Sequence, residues 1–212
     1  YAVVNQLART LSRVSDEDTR KNILVDAQSN YPDFFNLTFI RADGYTAFFA
    51  PTKYNAKVKS LPENLRFVND RSYFIHARDK KTPFISNAMM SRGIIAAPMV
   101  AMSSPIIIND EFRGALLGAM NLQFITKLHQ RMESTLLTDY VIITDKEDIV
   151  IYASAPTGLN ILAKYVANVG KSKFTPDFPV LSINGKNHPY HLAKNSFNWK
   201  VYIIKQPAEL VQ

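Results

Sequence analysis

Apolar residues in the first thirty positions recur at the three- and four-residue spacing of an amphipathic helix. Val4, Leu7 and Leu11 form one stripe, and a stripe with this spacing lies on one face of a helix. Ser15, with an acidic residue three positions later, has the pattern of a helix N-cap, so we expect a joint there and a second helical stretch. The pattern predicts a long N-terminal helical segment over residues 1–30.

This stripe has two alternative uses. It either packs on its own domain, or it pairs with the same stripe of a second copy of the chain, as in a coiled coil. The residues alone leave both alternatives open. Because one short stripe buries little area, we expect the second use to give a weak homodimer through the N-terminal helix.

Two hairpin patterns recur about one hundred residues apart. Residues 34–40 and 45–49 are rich in β-branched and aromatic side chains and flank Asp43-Gly44, which is a strong short-range hairpin signal. Residues 140–145 and 149–152 repeat the theme around a polar turn. Asp43 and Asp145 then occupy matching places, each closing a first strand.

The repeat predicts an α+β fold made of two tandem units, each an antiparallel sheet flanked by helices. A further hairpin, turned by Asn184-Gly185, supports a sheet in the second half. We expect four segments: an N-terminal helical segment at 1–30, a first module at 31–122, a connecting helix at 123–138 and a second module at 139–212.

Composition narrows the class of protein. The chain of 212 residues contains no cysteine, which excludes thiolate catalysis, disulfides and cysteine-ligated zinc. The net charge is +7, but the densest basic spots, such as Lys80 with Lys81, are only pairs. Nucleic-acid-binding domains usually concentrate basic residues on one stripe, so we expect a solvated basic surface and no nucleic-acid partner.

No segment of the sequence is suited to cross a membrane. The longest uncharged run, residues 93–108, is interrupted by prolines and is shorter than the roughly 20 apolar residues that a spanning helix needs. The sequence shows no signal peptide and starts at Tyr1 inside an amphipathic pattern. We expect a piece of a longer protein, whose membrane contact is made only by flanking helices outside this sequence.

Catalytic and metal motifs are missing from the sequence. His188 and His191 are three residues apart, and on a strand this odd spacing sends them to opposite faces. No phosphate-binding glycine loop and no H-E-x-x-H or G-x-S-x-G motif occurs. We therefore expect no enzymatic activity, no cofactor and no metal site.

One region predicts a small-molecule pocket. Asp70 is predicted to cap a short helix that runs to Arg78 and carries Arg71 beside two aromatic residues. An arginine offers a rigid fork of donors that suits a carboxylate, and aromatic walls would keep water out. By alternation along the strands that follow, further side chains face the same space. The predicted lining is Arg71, Tyr73, Phe74, Met89, Ser91, Ser103, Ala119 and Asn121. The alternative is that Arg71 pairs with a structural acid and the aromatics are core.

These residues resemble the signature of the double Cache family. In that family an arginine on the helix over the first sheet is followed two and three positions later by aromatics, as Arg71 is by Tyr73 and Phe74. Residues 84–86, 104–106 and 114–122 are similar to the family's next strands, and the second half is similar to its membrane-proximal module. The resemblance covers nearly the whole chain and implies two tandem PAS-like modules.

The resemblance also implies a function and a location. Double Cache domains are ligand-sensing domains of bacterial membrane receptors, whose outputs include histidine kinases, diguanylate cyclases and chemoreceptors. We accordingly expect a periplasmic or extracellular sensor domain with its ligand in the first module. The alternative is a non-enzymatic interaction or dimerisation module with a vestigial pocket, regulated by a partner protein.

Two departures from the family pattern bear on the ligand. Amino-acid-binding members place an aspartate where this chain has Ala119, and they favour a tyrosine where it has Arg66. A buried ammonium without an acid lacks its main counter-charge. The expected ligand is therefore an organic anion or a neutral molecule rather than an amino acid.

Overall fold

The chain forms two compact units, Tyr1–Asn121 and Leu122–Gln212. The computed structural model describes residues 1–92, 94–127, 139–171 and 179–205. Each unit has its own antiparallel sheet, which confirms the predicted α+β class with two modules. Residues 123–127 are helical, and the rest of the predicted connecting helix lies outside the described residues. Within the described ranges, no helix combines the length and apolar character needed to cross a membrane.

Two helices, not one continuous helix, open the first unit. Helix α1 spans Ala2–Arg13 and helix α2 spans Glu17–Asn30, and the chain between them is extended at Val14. The N-cap of α2 is Asp16, whose carboxylate accepts a hydrogen bond from the Thr19 backbone amide at 2.7 Å. The sequence placed this cap one residue early, at Ser15, since serine and aspartate are both good N-cap residues.

The first sheet is built around one long hairpin. The strands are β1 Phe34–Arg41, β2 Thr46–Ala50, β3 Phe84–Ile85, β4 Met89–Met90, β5 Pro98–Ile108 and β6 Glu111–Asn121. They run in the order β2-β1-β6-β5-β3, and the short β4 pairs with β5. Three short helices lie in the connections, α3 Asn55–Ser60, α4 Glu63–Arg66 and α5 Ser72–Asp79. The predicted hairpin at Asp43-Gly44 is present, with Gly44 at φ +88°.

Helices α1 and α2 cover one face of this sheet. Val4 and Leu11 are each only 1% exposed and pack in one core with Leu24, Leu37 and Leu116. The stripe therefore packs within its own unit, as the first of the two alternatives predicts, with Leu7 only partly buried against the same core. The weak homodimer through the N-terminal helix stays a prediction.

A close approach between helix and strand brings α1 onto the sheet. A Cβ atom added to Gly118 in β6 would lie 2.7 Å from Val4 Cγ2 and 2.9 Å from the Phe34 ring. Such distances are far inside van der Waals contact, so only glycine permits this packing. The sheet's other face carries a second core, which includes Tyr73, Phe74 and Ala119.

In the second unit, the described residues form one six-stranded sheet. Its strands are β7 Tyr140–Thr144, β8 Val150–Ala153, β9 Val169–Lys171, β10 Pro179–Ile183, β11 Lys186–Lys194 and β12 Lys200–Ile204. They run in the order β8-β7-β12-β11-β10-β9, and the core contains Ile142, Leu181, Tyr202 and Ile204.

The turn after β7 matches the turn of the first hairpin. Asp145 closes β7, and its Oδ1 accepts hydrogen bonds from the backbone amides two and four residues later. The Asp43 Oδ1 likewise accepts a hydrogen bond from the amide two residues later, so the two aspartates form matching turns.

The buried stripe of α1 leads to a stability prediction. Leu11→Ala should lower the free energy of unfolding of the first unit by about 2–5 kcal/mol, since a buried leucine leaves a cavity when it is truncated. The exposed Gln6→Ala on the same helix is the matched control and should change it by less than about 0.5 kcal/mol. Urea unfolding followed by circular dichroism is the measurement, because the single tryptophan, Trp199, reports on the second unit. Equal stability of the two variants would contradict this packing.

Candidate functional site

Arg71 lies at the start of α5 and not within it. The helix begins at Ser72, and Arg71 is the N-cap with extended backbone angles. Its carbonyl oxygen accepts hydrogen bonds from the amides of Phe74 and Ile75, each at 3.0 Å. Asp70, predicted to cap the helix, does not do so. Its carboxylate instead binds the Arg92 guanidinium through two hydrogen bonds of 2.6 and 2.7 Å.

The Arg71 guanidinium is held by soft and aromatic groups. Its Nη2 lies 2.7 Å from Met89 Sδ, and its Cζ lies 5.8 Å from the centre of the Tyr73 ring. Between described residues, no ion pair involves Arg71. In the described part of the chain, Arg71 therefore does not pair with a structural acid, which was the alternative to a ligand-binding role.

Arg71 lines a cavity of about 80 Å³. A single water needs about 10–15 Å³ of such volume, so the space suits a compact organic molecule. The predicted residues that line it are Arg71, Tyr73, Ser91 and Ala119. The remaining walls are mainly apolar and come from β1, β2, the α3–α4 segment and the chain before β5. The lining also includes Phe35, Asn36, Thr38, Ile40, Thr46, Phe49, Val58, Leu61, Leu65, Arg66, Val68, Arg92, Ile94, Ile95, Met99 and Leu117.

The other four predicted residues do not line the cavity. Phe74 is fully buried and packs edge-on against Phe112, because one step along the helix turns its side chain away from that of Tyr73. Ser103 is 1% exposed and donates a hydrogen bond to the Tyr73 carbonyl at 2.8 Å. Met89 contacts Arg71 from outside the lining. Asn121 shares a face with Ala119 but lies two residues farther along the strand, about 7 Å away.

The sequence did not identify several polar lining residues. Asn36 and Thr38 are 6% and 4% exposed, and the Thr38 hydroxyl donates to Asn36 Oδ1 at 3.0 Å. Two polar residues at alternate positions of an apolar strand were the available signal. Arg66 and Arg92 also line the cavity, and nothing in their local sequence indicates this.

The lining has a strong excess of positive charge. Of the described residues that form it, three are arginines and none is acidic. Arg92 is neutralised by Asp70, whereas the Nε of Arg66 is buried without a hydrogen-bond partner. Burial raises the pKa of the Tyr73 phenol above its ordinary value, so its hydroxyl is a neutral donor at physiological pH. The site can therefore bind anionic groups.

Three solved structures that are similar to this chain are described as ligand-binding domains or receptors. The domain of the amino acid chemoreceptor PctB from Pseudomonas aeruginosa, in complex with L-Arg, has a TM-score of 0.71 at 16% identity, over 99% of this chain and 87% of its own. The domain of the chemoreceptor CtaA from Pseudomonas fluorescens, in complex with L-alanine, has a TM-score of 0.70 at 11% identity, over 100% and 89%. An extracellular ligand-binding receptor from Desulfohalobium retbaense has a TM-score of 0.68 at 14% identity over 97% of this chain.

The chain spans only 36% of the length of that Desulfohalobium receptor. No family model and no curated protein matches the sequence. The likeness in fold confirms the predicted architecture of two tandem α+β modules. It contradicts the prediction about the ligand, because the PctB and CtaA domains bind amino acids. The reasoning from Ala119 treated a carboxylate as the only partner for an ammonium group, and that was wrong.

The pair of Asp70 and Arg92 predicts a pH dependence. The hydrogen bonds from Arg92 hold the pKa of Asp70 below its ordinary value. The stability that the pair contributes is thus present above the unfolded-state pKa of about 3.9 and is lost as the pH falls through the lower folded-state pKa. Because the Asp70 side chain is 59% exposed, the contribution should stay below about 1 kcal/mol.

Thermal unfolding as a function of pH measures this contribution. Asp70→Asn should lower the melting temperature at pH 7, and the difference from the wild type should vanish as the pH falls below the folded-state pKa of Asp70, where both proteins lack the carboxylate charge. The control Asp26→Asn removes an exposed acid of α2 and should have little effect. A difference for Asp70→Asn that is the same at every pH would show that the pair contributes nothing electrostatic.

Proposed function

We propose that this chain is the extracytoplasmic ligand-sensing domain of a bacterial membrane receptor, and that the cavity of its first unit binds a free amino acid. The observation that carries the proposal is Arg71, a guanidinium without an ion-pair partner among the described residues, lining a mainly apolar cavity. The shared fold with amino-acid-binding domains of chemoreceptors supports it.

The carboxylate of the ligand binds to Arg71 in this proposal. The guanidinium is pre-positioned by Met89 and Tyr73, so little conformational entropy is lost when the ligand arrives. Surrounding apolar side chains such as Ile95 and Leu117 exclude water, and exclusion of water strengthens an ion pair. The bidentate geometry of arginine with a carboxylate supplies orientation as well as energy.

The ammonium of the ligand needs acceptors other than a carboxylate. Asn36 Oδ1 and Thr38 Oγ1 are buried acceptors in the lining, and a carbonyl oxygen that accepts one hydrogen bond can accept a second. Phe35 and Phe49 add aromatic rings, whose faces attract cations by about 0.5–2 kcal/mol. Neutral oxygens and aromatic faces together replace the missing acid at Ala119.

We also infer that this domain is not an enzyme. The lining contains the hydroxyls of Thr38, Thr46, Tyr73 and Ser91, but the described lining residues include no histidine and no carboxylate that would serve as a general base. A site with anion donors and no base is suited to reversible binding. The solved structures that share the fold are likewise described as ligand-binding domains.

Calorimetry with the twenty proteinogenic amino acids tests the proposal. At least one should bind, and at one hundred times its dissociation constant it should stabilise the protein by about 2.7 kcal/mol, which gives a clear thermal shift. The matching amine, which lacks the carboxylate, should not bind. If no amino acid binds, the proposed function is wrong.

Arg71→Ala should weaken binding by about 2–5 kcal/mol, because the ligand carboxylate would lose its charged partner inside the cavity. The matched control is Arg78→Ala on the same helix, since Arg78 pairs with Asp79 and does not line the cavity. It should bind as the wild type does. Equal affinities of the two variants would place the ligand elsewhere.

A further inference from the structure

We infer that the cavity selects an amino acid with an acidic side chain, and that Arg66 is the residue that binds the side-chain carboxylate of this ligand. This inference rests on the proposed function, since it names the class of amino acid that the same site takes. It adds a specificity-determining residue to the binding role of Arg71. Arg66 lies at the end of α4, so the two arginines reach the cavity from different elements.

The first argument is the state of the Arg66 side chain. Its Nε–H is buried and has no hydrogen-bond partner among the described residues. A buried donor without a partner is costly, and natural proteins rarely retain one without a reason. Because Arg66 also lines the cavity, a ligand carboxylate there would give its guanidinium an acceptor that the described fold does not supply.

The second argument is that the nearest acid of the same helix is already engaged. Glu63, three residues before Arg66, accepts a hydrogen bond from the Tyr45 hydroxyl. No ion pair between described residues joins Glu63 to Arg66, although an i,i+3 spacing on a helix brings two side chains close. The guanidinium is left for a partner that is not part of α4.

The third argument is the balance of charge in the cavity. Arg92 is neutralised by Asp70, so Arg66 and Arg71 remain as two cations without a described counter-charge. The α-carboxylate of a neutral amino acid would compensate only one of them. The other would then lack the charge-assisted hydrogen bonds that a second carboxylate supplies. Two carboxylates on one ligand compensate both.

The fourth argument is size. A cavity of about 80 Å³ is small, which favours a compact ligand. Aspartate and glutamate are short, and they place two carboxylates on one small frame. The inference therefore commits to this pair of amino acids as the ligand class.

Isosteric pairs of amino acids give the sharpest test. L-Glu and L-Gln, like L-Asp and L-Asn, differ only in whether the side chain ends in a carboxylate or an amide. Calorimetry on the full chain should show that the better acidic amino acid binds at least about tenfold more tightly than its amide, the difference expected for a charged hydrogen bond. Equal affinities for the acid and its amide would overturn the inference.

Arg66→Gln tests which residue makes the distinction. The variant should lose most of the preference for acid over amide while it keeps the affinity for the amide within about threefold. Arg41→Gln is the matched control, because it removes the same charge from an exposed side chain paired with Asp43, and it should keep the preference. If Arg66→Gln keeps the full preference for the acid over the amide, Arg66 does not bind the side-chain carboxylate of the ligand.

The stability of the ligand-free protein distinguishes a role of Arg66 in folding from a role in ligand specificity. The ligand-free Arg66→Gln variant should be at least as stable as the wild type, because the change removes an unpaired buried donor. A marked loss of stability would show that Arg66 is needed for the fold and would overturn the inference.

Succinate, which has two carboxylates and no ammonium, distinguishes a failure of the proposed amino-acid binding from a failure of the inferred acidic class.

Tight binding of succinate with no binding of any amino acid would overturn the proposed function and, with it, the ligand class inferred here. Binding of amino acids without preference for the acidic ones would overturn only the inference. Weak succinate binding beside tight binding of L-Asp or L-Glu supports both.

Discussion

The central hairpin of the first unit must bury both of its faces, and the rest of the unit is arranged by that requirement. Strands β5 and β6 are each eleven residues long and are buried along most of their length, as is typical of strands covered on both sides. Helices α1 and α2 cover one face with a continuous apolar core. The close contact of Gly118 with Val4 sets how near α1 lies to the sheet.

The opposite face is covered by shorter pieces, and this is why a cavity exists there. Helix α5 covers one part with Tyr73 and Phe74, and the rest falls to α3, α4 and the chain before β5. Short helices and loops do not fill space as evenly as two long helices do. The resulting gap lies over the middle of the sheet, where strand side chains form a rigid floor. A rigid floor with a loop-built wall is a usual arrangement for a binding site.

Positive charge exceeds negative charge around this cavity. The nearby acids have partners of their own, Asp70 with Arg92, Asp43 with Arg41 and Glu63 with Tyr45. The cavity therefore keeps its cations, and its polar acceptors are neutral. The mistaken expectation about the ligand came mainly from the missing acid at Ala119, whereas the environment of an ammonium group is the sum of all acceptors and aromatic faces around it. Asn36, Thr38 and Phe49 belong to that sum and were not considered.

The sequence by itself determined the local elements and their order. Periodicity predicted the helices of the first thirty residues, Asp-Gly predicted the first hairpin, and the repeat around Asp145 predicted two units, because these signals depend on neighbours within a few residues. The sequence also singled out Arg71, Tyr73, Ser91 and Ala119, which line the cavity. It misplaced Phe74 and Ser103, which lie next to the right segment but face the core and the helix backbone.

Only the tertiary structure decided which groups meet across long separations. It placed the stripe of α1 against its own sheet, paired Asp70 with Arg92 across 22 residues of chain and brought Arg66 to the same cavity as Arg71. Asn36 and Thr38 face that cavity for the same reason. Short-range spacing fixes the direction of a side chain within its own element. Which charges are neutralised, and which are left for a ligand, depends on how loops distant in sequence close over the sheet.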